Sequence, residues 1–273
     1  MAIHVLTSAA GSPGVTTTVM ALATVWPRPV VVLEADPTGG SAILAGFYRG
    51  MADELGLIDL VMANRQGQLK STLPTLLRPV EGTQASLLVG TRSHDQAVGL
   101  ESVWLPLLEA LRELEGNGQD VLVDAGRLGL DGTPMPLMLG ADTVSVLMNS
   151  NLPAVSAARS WVVTLRDRAA GQLGVVVVGE GRPYSAREVA GALGVSLTGS
   201  VEWAPSSAAV FSEGADYPPA GRLGRLAGRK ATKESFARGP YLRSVATVGD
   251  VLRRRAAAVV APDPLTSAEE SAR

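Results

Sequence analysis

The chain opens with the apolar run IHVLT (residues 3–7), which leads into the small-residue segment SAAGSPGVTT (residues 8–17). The first run predicts a buried β-strand, and the residues from Thr16 to Val25 predict a helix. A strand, a glycine-containing loop and a helix amino terminus can cradle phosphate, because backbone N–H groups and the helix dipole face the anion. A small-residue turn after the first strand is also common in doubly wound folds generally. The loop alone therefore leaves both interpretations open.

Short apolar runs alternate with amphipathic stretches from residue 3 to residue 201. The runs are rich in β-branched residues and bounded by Gly, Pro or Asp, which is typical of buried parallel strands. The alternation predicts an α/β fold, a doubly wound, mostly parallel sheet with helices on both faces. The predicted strands are Ile3–Thr7, Val30–Leu33, Ser86–Val89, Val121–Val123, Thr143–Met148, Gly174–Val178 and Val195–Val201, and the predicted helices are Thr16–Val25, Gly56–Ala63, Leu100–Leu114, Ala154–Ala169 and Ser185–Leu193.

Acidic residues follow two of these strands. Glu34 and Asp36 come directly after Val30–Leu33, and Asp124 ends Val121–Val123. Ligand sites in open α/β sheets lie at the carboxyl ends of the strands, so we expect these acids beside the loop. An aspartate there can hold Mg²⁺ together with a loop hydroxyl, here Thr16.

These residues resemble the ParA/MinD family of P-loop ATPases with a deviant Walker A motif. The family's motif G-K-G-G-x-G-K-T-T aligns without gaps to Ala9–Thr17, and Val121–Asp124 is similar to its Walker B strand. The resemblance spans about residues 2–215 and implies a P-loop NTPase-like fold with ATP or ADP and Mg²⁺ as cofactors. Further matches are Glu34-Ala35-Asp36-Pro37 to the D-x-D-P segment, Gly140–Val144 to the A-D-x-V strand, Asn151-Leu152-Pro153 to the start of the following helix, and Val201–Pro205 to the late strand near the adenine pocket.

The resemblance also implies which residues form the site. Asp36 would be catalytic only in an active enzyme. The implied nucleotide-binding residues are Gly11, Ser12, Pro13, Gly14, Val15, Thr16 and Thr17, and the implied Mg²⁺ ligands are Thr16, Asp36 and Asp124.

The loop departs from the family at the residues that carry charge. Val15 stands where the family has the lysine that neutralises the β- and γ-phosphates, and Ala10 replaces the signature lysine that reaches across the dimer. The first lysine of the chain is Lys70, so no small register shift restores either charge. Loss of such clamps removes several kcal/mol of transition-state stabilisation. We therefore expect a pseudo-ATPase with weak or absent ATP binding and little hydrolysis; Arg127 is either a substitute cation or an exposed loop residue.

Composition excludes several classes of site. The chain has no cysteine and only two histidines, which excludes thiol chemistry, disulfides and cysteine zinc sites and predicts no zinc. The amino terminus lacks the features of a signal peptide, and no apolar run reaches the roughly 20 residues of a membrane span. We expect a cytoplasmic protein.

Charge is concentrated near the carboxyl end. Residues 222–255 carry ten basic and two acidic side chains, although the whole chain has a net charge of −2. This block is either a solvated face or a surface for DNA or anionic membrane. We divide the chain into a P-loop domain at 1–221, a basic extension at 222–260 with a final helix from about Tyr241 to Val259, and a disordered tail at 261–273.

Three functions remain open from the sequence. The first is a homodimeric positioning, scaffolding or regulatory module that contacts a secretion or partition machine, similar to the TadZ/CpaE-like proteins of Tad pilus systems. The second is an active partition-type ATPase that binds non-specific DNA through Arg222–Arg255 at the nucleoid. The third is peripheral membrane association through the final helix, with packing of that helix onto the sheet as its alternative.

Overall fold

A computed structural model describes residues 1–53, 55–113, 118–219 and 232–260. Its centre is one sheet of eight strands in the order β3-β4-β2-β5-β1-β6-β7-β8. Every neighbouring pair is parallel except β3 and β4. The strands are β1 Ile3–Ser8, β2 Val30–Glu34, β3 Arg78–Pro79, β4 Ala85–Leu88, β5 Asp120–Arg127, β6 Thr143–Asn149, β7 Gln172–Val178 and β8 Ser196–Val201.

Helices follow most strands and cover both faces of the sheet. A π-helical turn at Ile43–Phe47 and a 3₁₀ turn at Leu73–Leu76 complete the described connections. The helices are α1 Val15–Val25, α2 Asp59–Arg65, α3 Leu69–Thr72, α4 His94–Gly99, α5 Trp104–Glu113, α6 Met135–Gly140, α7 Leu152–Arg168, α8 Ala186–Leu193, α9 Pro205–Ser212, α10 Lys233–Ala237 and α11 Pro240–Val260.

Two apolar clusters separate the helices into layers. One cluster packs α2, α3 and α5 to α8 against the sheet, and the other packs α1, α9, α10 and α11 against the opposite face. Alternate residues of β5 show the division, because Val121 and Val123 belong to the first cluster and Leu122 to the second. The predicted doubly wound α/β fold is confirmed.

The final helix packs onto the sheet. Leu242, Val245, Val248 and Leu252 of α11 are buried in the second cluster with residues of α1 and β8. The apolar side that we considered for membrane association is therefore covered by the protein itself. Within the described residues no helix is long and apolar enough to cross a bilayer. The domain division stays a prediction, and the predicted disordered tail at 261–273 lies outside the described residues.

Prolines mark two places where the predicted helices differ from the observed ones. The helix predicted from Leu100 begins at Trp104, which puts Pro106 in the first turn, where its missing N–H has no helical partner. Its predicted end at Leu114 lies outside the described residues. The helix α9 was not predicted, although Pro205 at its first position is a helix-start signal.

Two buried carboxylates hold the start of the central strand. Asp120 Oδ1 accepts a hydrogen bond from the Ala2 N–H at 2.9 Å, and Asp142 Oδ2 accepts one from the Ile3 N–H at 2.6 Å. Arg28 and Arg112 supply the balancing charges through paired contacts to these carboxylates. Charge-assisted hydrogen bonds therefore fix the amino-terminal end of β1. The loop follows the carboxyl end of the same strand, so these bonds help to position it.

His4 lies beside these carboxylates in the interior of the sheet. Its Nδ1 is 2.8 Å from the Thr143 hydroxyl, and its Nε2 has no partner in the described chain. Burial lowers the pKa of His4 from 6.5 to about 4, although Asp120 and Asp142 act in the opposite direction. His4 is therefore a core histidine with one ring nitrogen that has no partner among the described residues.

We predict that His4 makes the fold acid-sensitive. The folded chain binds the proton less tightly than the unfolded chain, so stability present above pH 6.5 is lost as the pH falls toward 4. Between pH 7 and pH 5 the parent should lose about 2 kcal/mol more than His4→Gln in urea unfolding. Equal pH profiles for the two proteins would contradict this role of His4.

Candidate functional site

The loop after β1 has the backbone shape of an anion nest. Gly11, Ser12 and Gly14 have φ values of 76°, 42° and 89°, all in the left-handed region. Left-handed residues in a turn can point backbone N–H groups toward one side, where these groups can share an anion, although Pro13 itself has no N–H to donate. Ser12 adopts this conformation without being glycine, which is uncommon for a side-chain-bearing residue. The loop that the sequence predicted between the first strand and the first helix therefore has a left-handed backbone at Gly11, Ser12 and Gly14.

Helix α1 points its amino terminus into the loop. Gly14 is the N-cap, and no side chain caps the helix. The first N–H groups of α1 are thus available to a ligand rather than to a capping oxygen. Thr16 and Thr17, in the first turn, are half-buried beside them.

Val15, which the sequence resemblance aligns with the lysine of the family's motif, lies in the interior. Its side chain is only 7% exposed and belongs to the same apolar cluster as Leu6 and Val19. The position therefore contributes to packing and carries no charge toward the loop. A lysine here would need to leave this cluster to reach the loop, because an unpaired buried ammonium is costly.

Asp124 is a buried acid with an unpartnered oxygen. Its Oδ1 accepts the Gly126 N–H at 3.1 Å, whereas its Oδ2 has no hydrogen-bond partner in the described chain. Burial raises the pKa of Asp124 to about 7, and the neighbouring Thr16 hydroxyl lowers it again in part. A buried acid with a raised pKa, next to a left-handed loop and a helix terminus, is typical of a binding site.

The two acids after β2 have different surroundings. Asp36 is half-buried, its Oδ1 accepts the Thr38 N–H at 2.9 Å, and its carboxylate lies over Gly126, where a Cβ would collide with it. Glu34 is buried and accepts three hydrogen bonds from Ser41 Oγ, Ile43 N and Gly90 N. Asp36 Oδ1 also accepts the Thr38 hydroxyl at 2.8 Å, so Asp36 is held by its own loop near Asp124, whereas Glu34 holds the surrounding loops together.

A cavity of about 330 Å³ extends from the loop to the end of β8. Its lining contains no lysine or arginine among the described residues. The segment Val201–Pro205, matched from the sequence to the late strand near the adenine pocket, contributes to this lining, and its Trp203 is 49% exposed with the Arg182 guanidinium 4.6 Å from its ring centroid. Asn149, which lies near Gly11, is among the lining residues that the sequence did not predict. The lining residues are Gly11, Ser12, Pro13, Gly14, Thr17, Thr18, Asn149, Val178, Val201, Glu202, Trp203, Ala204, Pro205, Ala208, Ser212, Glu213 and Tyr241.

A divalent cation fits this site in part. Asp124 and Asp36 offer two carboxylates, and Thr16 offers a hydroxyl, all of them hard oxygen donors suited to Mg²⁺. The described chain has no group of three or more acidic, histidine or cysteine side chains that could hold a metal alone. Protein ligands here resemble those of sites in which Mg²⁺ is shared with substrate phosphates.

Comparison with protein-family models gives no match, and no curated protein matches the chain. Solved structures match over most of its length. The chain has the fold of the MinD and ParA ATPases. MinD from Pyrococcus horikoshii OT3, complexed with Mg-ADP, has 16% identity and a TM-score of 0.69, covering 96% of this chain and 99% of its own.

Two other solved structures give the same result. A ParA family ATPase from Chlorobium tepidum TLS has 12% identity and a TM-score of 0.63, covering 92% of this chain and 97% of its own. An ATP complex of a McdA variant from Cyanothece has 13% identity and a TM-score of 0.63, covering 96% of this chain and 98% of its own. Because the sequence identities are this low, the comparisons show that the chain shares the MinD/ParA fold and nothing finer.

Several predicted site residues lie together at the cavity, whereas Arg127 lies outside it. Gly11, Ser12, Pro13, Gly14 and Thr17 line the cavity, and Thr16 faces Asp124. Arg127 is exposed at the end of β5, in register with Ser8, and has no ion pair or side-chain hydrogen bond within the described residues. It is not part of the cavity lining.

The basic extension is partly used for packing. Lys233 Nζ donates to the Gly82 carbonyl at 2.9 Å, Arg253 pairs with Asp250, and Arg255 binds Thr198 Oγ1 and the Leu197 carbonyl. Four of its ten basic residues, namely Arg222, Arg225, Arg229 and Lys230, lie outside the described residues.

We predict that Asp124→Asn does not destabilise the ligand-free protein. The substitution removes a buried carboxylate whose Oδ2 has no partner, so the free energy of unfolding in EDTA at neutral pH should stay equal or rise by about 1 kcal/mol. Glu34→Gln is the matched control, because this equally buried acid has three donors. It should lose about 2 kcal/mol. A larger loss for Asp124→Asn than for Glu34→Gln would contradict the assignment.

Proposed function

We propose that this protein is a positioning, scaffolding or regulatory module built on the MinD/ParA fold, with weak ATP binding at most and little hydrolysis. The observation that carries the proposal is the burial of Val15 in the apolar cluster, at the position where the motif places its phosphate-binding lysine. The loop keeps its nest and helix terminus, so it retains a shape for an anion without a fixed positive charge.

The chemistry of phosphoryl transfer explains why hydrolysis should suffer most. Negative charge on the transferring phosphoryl group is stabilised by positioned cations, and each clamp contributes several kcal/mol to the transition state. Ala10 and Val15 remove two such clamps. Backbone N–H groups remain, and these can bind a ground-state phosphate without supplying that charge.

Contacts with other macromolecules would then carry the function. The neighbours in structure include a cell division protein and a ParA family ATPase, which supports a positioning or partition role at the level of the fold. We propose a homodimer that recruits a protein of a secretion or partition machine, with Tad-type pilus assembly as the specific candidate. The broken loop is the feature shared with TadZ/CpaE-like proteins.

We predict no measurable steady-state ATPase activity. Purified protein with ATP and Mg²⁺ should release phosphate no faster than an Asp124→Asn control, because neither supplies the missing cationic clamps. A fluorescent fusion should nevertheless occupy a discrete position in the cell. Sustained turnover that is abolished in Asp124→Asn would contradict the pseudo-ATPase, and uniform fluorescence would contradict the positioning role.

A second candidate is an active partition ATPase that binds non-specific DNA. The observation in its favour is that Arg238, Arg243 and Arg254 are exposed and make no side-chain hydrogen bond or ion pair within the described residues. Asp250 lies between the last two on the same exposed face of α11, which reduces the local positive charge.

We predict that DNA binding, where present, is wholly electrostatic. Affinity for random duplex DNA should fall steeply with salt, and Arg243→Gln with Arg254→Gln should reduce the slope of log affinity against log salt by about 2. Arg255→Gln is unsuitable as a control because Arg255 fastens α11 to β8. Absence of binding at low salt would eliminate this candidate.

A further inference from the structure

We propose that an apolar groove beside the end of β4 is where this protein binds an apolar segment of a protein partner. The groove contains a cavity of about 360 Å³, and its described lining residues are all different from those of the cavity beside the loop. The inference rests on the proposed function and deepens it by assigning the surface that recruits the partner. We call this surface the β4 groove and define it by the lining residues Leu44, Ala45, Met51, Leu55, Ile58 and Val89.

Hydrogen bonds and one close backbone contact hold the walls of the β4 groove in place. The Gly50 N–H donates to the Leu44 carbonyl at 2.9 Å, and the Leu57 N–H donates to the Val89 carbonyl at 2.9 Å. A Cβ at Gly56 would lie 2.9 Å from the same Val89 oxygen, so a larger residue there would displace the backbone. The groove is therefore formed before a ligand arrives, which lowers the entropic cost of binding.

The backbone of one wall is strained at both of its ends. Ser41 and Arg49 have φ values of 27° and 52°, in the left-handed region that residues other than glycine rarely adopt. Between them lies the π-helical turn at Ile43–Phe47, and such turns are frequent at functional sites. Strained segments cluster at binding sites, where the surrounding structure holds them in place. This wall therefore has the features of a binding site rather than of an ordinary connection.

Apolar side chains continue from the cavity onto the surface of the protein. Met51 and Leu55 line the cavity and are 44% and 53% exposed. Met62 lies four residues beyond Ile58, on the same face of α2, and is 55% exposed. Methionine side chains adapt to partners of different shape. A ligand that covers this apolar strip must extend beyond the cavity, which favours a protein segment over a small molecule.

The described charged groups of the β4 groove already have partners within the chain. Asp53 pairs with Arg78, and its Oδ1 accepts the Leu55 N–H at 3.2 Å. The Arg78 guanidinium also contacts Met51 Sδ at 2.8 Å. Arg92, at the rim, has an interaction of its own and is not free. The described lining therefore offers apolar surface without an unpaired charge, which suits aliphatic side chains with uncharged neighbours and disfavours a charged ligand.

The experiment selects binders from a random peptide library displayed on phage, with the full chain as the target. The most enriched sequence is synthesised and titrated against the parent protein by calorimetry. We expect aliphatic residues as its anchors, because the lining is apolar. We also expect an affinity that changes by less than about twofold between low and high salt, because binding forms no ion pair that salt could screen.

Variants at exposed positions test whether the selected peptide lies in the β4 groove. Ala45→Trp fills the groove, and Met51→Ser combined with Leu55→Ser removes its exposed apolar edge. Each should weaken binding by about tenfold or more, because buried apolar anchors dominate such interfaces. Val163→Ser, at a similarly exposed aliphatic residue of α7, is the matched control and should bind as the parent does. Thermal unfolding midpoints should be equal in all four proteins, because these are surface positions.

The outcomes distinguish this inference from the proposed function. Enrichment of charged anchors, no enrichment of any sequence, or an affinity unchanged in both groove variants would overturn the inference and leave the pseudo-ATPase intact. A change of oligomeric state in Ala45→Trp, measured by analytical ultracentrifugation, would show that a second copy occupies the groove and would also overturn it. Rapid phosphate release from ATP would instead overturn the proposed function, whatever the peptide experiments show.

Discussion

The packing of helix α1 constrains the rest of this molecule. The helix lies between the sheet on one side and α9 and α11 on the other, and most of its residues are buried. This packing holds Val15 among apolar side chains and fixes the direction in which the helix amino terminus faces. The loop that joins β1 to α1 must therefore turn sharply, and left-handed residues at Gly11, Ser12 and Gly14 allow it to do so. The left-handed loop is a consequence of that turn, and the same packing keeps the Val15 side chain in the apolar interior.

The two buried acids at the carboxyl ends of β2 and β5, Glu34 and Asp124, show how similar residues take different roles. Glu34 has its hydrogen-bonding needs met by Ser41, Ile43 and Gly90, and it connects the ends of β2 and β4 to the turn at Ile43–Phe47. Asp124 has one oxygen without a partner in an interior site, which costs stability in the absence of a ligand. Such a cost is expected at binding sites rather than at purely structural positions.

Much of the fold could be predicted because its signals are local. The strands on either side of β1 are β-branched apolar runs, and the capping box at Ser185 and Glu188 marks the start of α8 where the sequence placed it. Strand β3 was missed because two residues, one of them proline, carry no periodic pattern. Nothing local indicates that Phe47, Phe211, Phe236 and Tyr241 stack into one cluster, since the contacts join segments far apart in the chain.

The sequence predicts which residues lie at the candidate site better than it predicts what each of them does there. The placement of Asp36 and Asp124 beside the loop follows from the parallel sheet, which brings strand ends to one edge. Burial of Val15, the satisfied state of Glu34 and the position of Trp203 beside Arg182 depend on tertiary packing, which no short motif encodes. The sequence resemblance predicts a missing lysine at the position of Val15, and the structure shows that Val15 belongs to the core.

The most direct measurement is a calorimetric titration of the full chain with ATP in Mg²⁺. A nest and helix terminus without a fixed cation should give weak, saturable binding, with a dissociation constant of about 0.1–1 mM. Binding a thousandfold or more tighter would contradict the account, because it would show that the loop binds the nucleotide strongly without the cationic side chains whose absence the account treats as decisive.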